Sequence, residues 1–140
     1  MIVDCKKFIP VFLIIGIVFT SCEIDQEEPY ADPVEKFLGE WKCEETSEVY
    51  GPGYNYDVII TRNPENSTEI VIANFYMQGM RETAIALVTG NSMTIYEQKI
   101  CDDTIIIEGS GRYEKGEIHL TYTANDGADL DNVMARYYKD

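Results

Sequence analysis

A chain of 140 residues with 25 acidic and 11 basic side chains has a net charge of −14, and no basic patch interrupts it. That balance excludes nucleic acid as a partner, because the phosphate backbone would be repelled. The length suffices for one domain with a single core, and the lone histidine confines any His-based catalysis to His119.

The N-terminus reads as an address. Lys6 and Lys7 precede an apolar run from Phe8 to Phe19, which ends in Thr20-Ser21-Cys22. The run is too short to span a bilayer, which takes about 20 apolar residues, but it fits the h-region of a secretory signal. Thr20-Ser21-Cys22 resembles the lipobox of bacterial lipoproteins, although Phe19 stands where that family usually has Leu, Val or Ile. The resemblance implies that residues 1–21 are a lipoprotein signal peptide, cut off before Cys22. It implies that Cys22 carries lipid, palmitate among the chains, and that several chains together make the anchor stable where one would not. The alternative is a plain signal peptide or a short anchor helix with an incidental cysteine. Loss of the leader removes Lys6 and Lys7 against Asp4, so the mature chain is still more acidic. The expected location is the cell envelope, lipid-anchored to the outer membrane.

Residues 22–33 are the lipidated end and a tether, acidic, with two prolines and no periodicity. Asp25, Glu27 and Glu28 are similar to the acidic cluster that marks some Gram-negative lipoproteins for the cell surface. A spacer with no address, which leaves periplasmic face or cell surface open, reads equally well.

From residue 34 the pattern is strand and turn. Val34 to Leu38 allows one helical turn, broken by Gly39. Glu40 to Tyr50 is the first strand, with Trp41, Cys43 and Val49 in one phase. Gly51-Pro52-Gly53 is a turn cluster, and Tyr54, Tyr56, Val58 and Ile60 alternate along the second strand. Glu69 to Phe75 is a β-branched run that reads as buried on both faces, and Glu82 to Val88 is the fourth strand. Thr89-Gly90-Asn91 links it to Met93–Tyr96 as a hairpin. Thr104 to Tyr113 contains Gly109-Ser110-Gly111, which suggests a bulge or bend at a barrel corner. Ile118–Tyr122 and Val133–Tyr138 complete eight short strands. The spacing predicts an all-β sandwich or an eight-stranded antiparallel up-and-down barrel over residues 34–140. An eight-stranded barrel can be filled by side chains or hold one small ligand.

Phe37-Leu38-Gly39-Glu40-Trp41 contains a Gly-x-Trp that resembles the lipocalin signature, in which the Trp closes one barrel end. Residues 70–75, 88–95 and 105–111 are similar to a group of small Gram-negative lipoproteins with lipocalin-like (calycin-type) barrels. The resemblance spans nearly all of residues 34–140 and implies a lipocalin-like barrel. Members of that group are largely uncharacterised, so it brings no catalytic residue.

Cys43 and Cys101 remain after processing, and in an oxidising compartment they form a candidate disulfide. Closing a loop of that length would add roughly 4 kcal/mol, while two separate thiols are the alternative. His119 lies out of phase with Ile118, Leu120 and Tyr122, which places it on the outer face. Asp126, Asp129 and Asp131 share one acidic loop that offers oxygens to a hard cation, or is simply hydrated. Glu44 and Glu45 form a carboxylate pair of the kind glycoside hydrolysis uses, given the right separation. Asp103-Thr104-Ile105 resembles the O-glycosylation acceptor of some Gram-negative anaerobes, and also reads as a strand start.

Trp41, Tyr50, Tyr54, Tyr56, Tyr96 and Tyr122 are the candidate ligand or partner contacts, since a phenol combines apolar area with a polar handle. Tyr50 and Tyr54 would form an exposed aromatic rim. Two functions compete, and neither calls for a cofactor. The first is a non-catalytic module holding a small apolar or amphipathic ligand in a cavity lined by Trp, Tyr and Met. The second is an interaction or inhibitor module with a filled core, docking on an envelope complex or a basic hydrolase through its negative charge. An enzyme ranks last.

Overall fold

Alternation of apolar and polar side chains runs through almost every strand of the domain, and the barrel follows from it. A computed structural model describes residues 31–140. The leader, Cys22 and nearly all of the tether therefore lie outside the described residues. The strands are β1 (Gly39–Ser47), β2 (Gly51–Arg62), β3 (Glu69–Ala73), β4 (Thr83–Thr89), β5 (Ser92–Ile100), β6 (Ile105–Glu114), β7 (Glu117–Asn125) and β8 (Leu130–Tyr138). Each pairs antiparallel with its neighbour in sequence, and β8 pairs with β1 to close an up-and-down, lipocalin-like barrel. Closure leaves no edge strand exposed.

Inward positions supply the core. Trp41 and Cys43 of β1, Val58 and Ile60 of β2, Ile70 and Ile72 of β3, and Ile118 and Leu120 of β7 are all buried. β3 is buried on one face only, since Val71 between its two isoleucines is half-exposed. His119 faces outward, 3.4 Å from the Glu117 carboxylate.

One end is plugged. A 3₁₀ turn over Glu35–Phe37 lays Val34 and Phe37 across the barrel, both fully buried. The Trp41 indole N–H donates to the Phe37 carbonyl at 2.8 Å, and the Lys139 ammonium sits 4.3 Å from the Trp41 ring centre. The Tyr113 ring meets Phe37 and Trp41 edge-on. This is the closed end that the Gly-x-Trp implied.

Turn chemistry differs from expectation at the other end. Gly51-Pro52-Gly53 is not a turn but the start of β2. The turn is Glu48–Tyr50, and side chains hold it: Ser47 Oγ accepts the backbone N–H groups of Val49 and Tyr50 at 3.1 and 2.9 Å. With those donors satisfied, the turn needs no glycine. Gly51 and Gly53 instead use φ of +93° and +91° where the β1–β2 register slips beside Glu45 and Thr46. The bend expected at Gly109-Ser110-Gly111 is made by β5, where Tyr96 and Glu97 both stand opposite Glu108. Asp103-Thr104 belongs to the turn before β6, and Ile105 is the first residue of the strand.

Candidate functional site at the open end of the barrel

The interior changes character along its length. On β1 the inward side chains run Trp41, Cys43, Glu45, Ser47, from the plugged end towards the open one. β8 runs the other way and enters the barrel at Asp131. Two carboxylates are thus turned inward near one end, where Glu45 is 3% exposed and Asp131 2%.

Glu45 is held from two sides. Tyr56 on β2 and Tyr122 on β7 donate their hydroxyls to Glu45 Oε2 at 2.5 and 2.7 Å. Among the described residues no donor reaches Oε1, and that oxygen is not sealed away. Burial pushes the Glu45 carboxyl above its usual range, and the charge of Asp131 adds to this against the pull of the two phenols. Below them Tyr137 is fully buried, with a hydroxyl that has no partner among the described residues.

Asp131 is better solvated by the protein. Its Oδ2 accepts Ser47 Oγ at 2.5 Å and Tyr76 OH at 2.7 Å, and its Oδ1 accepts the Val49 N–H at 3.1 Å. Burial works against the anion, but these bonds outweigh it and hold the carboxyl below its usual range. Asp131 thus spends its carboxylate on the protein's own donors, at the start of β8. Asp126 caps its own loop by accepting the N–H groups of Ala128 and Asp129. No group of three or more His, Cys, Asp or Glu side chains is placed to hold a metal among the described residues.

Above Glu45 lies a pocket of about 210 Å³, walled by Tyr50, Tyr54, Tyr76, Met77 and Gln78 with Ser47 beside the carboxylate. Tyr54 OH donates to the Tyr50 carbonyl at 3.1 Å, which joins the two rings at the rim. Tyr76 comes from the β3–β4 connection, whose residues Asn74, Tyr76 and Met77 all have positive φ. Such backbone is sparsely populated outside glycine and persists only where its surroundings hold it. Here Asn74 Oδ1 accepts the Gly79 N–H at 2.8 Å, and Tyr76 is anchored on Asp131.

The six candidate contacts separate. Tyr56 and Tyr122 do not line the pocket but hold Glu45, which does, and Tyr50 and Tyr54 form the rim. Trp41 belongs to the plugged end and lines no part of this pocket. Tyr96 points outward and is 62% exposed, because its inward neighbours are Met93 and Ile95. Among the described residues aliphatic and aromatic side chains fill the lower barrel, and the pocket at its mouth is lined by Tyr and Met without Trp. Glu44 and Glu45 cannot act as a pair, because neighbours on a strand face opposite ways. Glu44 is outside the barrel, bonded to Arg136 at 2.8 Å.

The candidate disulfide is not formed, and Cys43 and Cys101 are both free. Cys43 points inward from β1, whereas Cys101 lies in the turn between β5 and β6, across the barrel. Burial pushes the Cys43 thiol up to about 12.

Sequence reasoning passed over Glu45 as an inward residue and missed Tyr76, Asp131 as an inward residue, and Ser47. The phase of β1 carried the first signal, since Glu45 shares its parity with Trp41 and Cys43. Tyr76 had none, because an irregular connection has no period to read.

A broad groove of about 690 Å³ lies on the outer surface, where the bulged β5 and its neighbours curve. Tyr96 and Met134 are exposed in it, beside Glu48, Glu97 and Glu108.

No family model matches the sequence. No curated protein matches it either. Among solved structures it is similar to a zebrafish ileal bile acid-binding protein crystallised with cholic acid. The two share 14% identity at a TM-score of 0.45, over 75% of this chain and 99% of that one. At that distance the likeness carries nothing about a ligand.

Proposed function

We propose that the protein is a non-catalytic binding module of the cell envelope, tethered by lipid on Cys22, that holds a small amphipathic ligand at the open end of its barrel. The pocket above Glu45 carries this reading. It joins tyrosine and methionine walls to one free carboxylate oxygen, the mix of apolar surface and few polar groups that small-molecule sites use. The N-terminal run and Cys22 support the tether, since Thr20-Ser21-Cys22 resembles the lipobox of bacterial lipoproteins.

Native mass spectrometry tests it. The chain exported by its host is incubated with envelope extract. A discrete small adduct that is lost from a Gln78→Trp variant supports the reading, and a bare protein overturns it. The tether is tested separately: Cys22→Ala should abolish palmitate labelling and release the protein from the membrane fraction.

The outer groove favours a second reading. Among the described residues its lining holds three carboxylates and no basic side chain, so it suits a basic protein surface, including that of a basic hydrolase. Binding of such a partner should weaken with salt and with Tyr96→Ala, and indifference to both overturns it.

A further inference from the structure

We infer that the ligand of the barrel mouth is a small primary amine, bound as its ammonium cation with the charged head on Glu45. The inference rests on the reading of the mouth as the binding site, and it names the ligand class.

Charge is the first ground. Glu45 and Asp131 are both turned into this end of the barrel, and among the described residues no Lys, Arg or His lines the pocket. The described cations that pair with acids do so elsewhere: Arg62 with Asp32 and Glu35, Arg136 with Glu44 and Glu117, and Lys42 with Asp140. A buried carboxylate without a cation is costly, and an ammonium guest offsets that cost directly.

Geometry is the second. Both phenol donors bond Oε2 and leave Oε1 for the guest. An ammonium has three donors, so after Oε1 it keeps two for water at the open mouth. Tyr50, Tyr54 and Tyr76 line the pocket, and aromatic rings attract a cation as well as cover an organic body. An anionic guest would meet Glu45 head-on. A hard divalent cation needs six or more oxygens, and the described residues gather no such set.

Calorimetric titration of the full exported chain with three probes of one shape tests this: 2-phenylethylamine, 2-phenylethanol and phenylacetate. The amine should bind at least about tenfold more tightly than the alcohol, and phenylacetate should bind worst. Glu45→Gln keeps the shape and should cost the amine about tenfold or more, as expected for one charge-assisted hydrogen bond, and should cost the alcohol clearly less. If alcohol and amine bind alike in both proteins, and Gln78→Trp abolishes both, the mouth is a site but the amine preference is wrong. If no probe binds at all, the inference fails together with the reading it rests on.

Discussion

Gly109 stands directly opposite Tyr122 in the β6–β7 ladder, and a Cβ placed on Gly109 would fall 2.4 Å from the Tyr122 Cβ. The same Cβ would meet the Thr121 carbonyl oxygen at 2.4 Å, so backbone as well as side chain blocks it. Gly109 therefore lets β7 close in and seat Tyr122 under Glu45. Gly109→Ala should destabilise the fold by about 3 kcal/mol, at the upper end of overpacking costs. Urea unfolding monitored by circular dichroism checks this, and the surviving folded protein should show weakened binding at the mouth.

The two inward carboxylates should have opposite pH signatures. Glu45 is raised, so its contribution is full below the unfolded pKa of a glutamate and is lost as pH rises through the folded value. Asp131 is lowered, so its contribution is present above the unfolded pKa of an aspartate and is lost as pH falls through the folded value. At neutral pH Glu45→Gln should be at least as stable as the parent, because the amide oxygen still accepts both phenols. Asp131→Asn should lose about 1–3 kcal/mol at neutral pH, since its NH₂ faces a donor where an acceptor was. That deficit should shrink in acid. Urea midpoints across a pH series separate the two.

The thiols should react in sequence. Cys101 is partly exposed at a turn, with Sγ 3.5 Å from Gln78 Oε1, while Cys43 is buried with its thiol pushed up to about 12. Iodoacetamide on the native protein at mildly alkaline pH should label Cys101 first. Cys43 should follow only in denaturant, without any reductant. Peptide mass mapping reads both steps, and protection of both thiols until reduction would contradict the free-thiol structure.

Trp41 is the sole tryptophan and is 3% exposed. Its fluorescence should be blue-shifted and poorly quenched by acrylamide. Trp41→Phe should cost about 1–3 kcal/mol, because the Phe37 carbonyl loses its donor in a buried place. Ligand binding at the mouth should leave this emission unchanged, as Trp41 lies at the plugged end.

Strand existence, the number of strands and the inward phase of Trp41, Val58, Ile60, Ile118 and Leu120 were legible, because a half-buried strand must alternate and the chain alternates. The outward phase of His119 followed from the same rule. Strand ends were read less well. The glycines near residue 51 looked like a turn, yet Ser47 and Asp131 hold the real turn from side chains 84 residues apart. No local pattern shows that.

By itself, the sequence determined an acidic, all-β domain and the parity of its strands, since these follow from composition and from a period of two. It also set the Gly-x-Trp at the closed end. Only the tertiary structure decided that Glu45, Tyr56, Tyr122, Tyr76 and Asp131 meet at one mouth. They come from β1, β2, β7, a connection and β8, and closure of β8 onto β1 brings them together. The physical reason is that parity fixes the face of a residue, whereas register and closure fix its depth and its neighbours, and those depend on every strand at once.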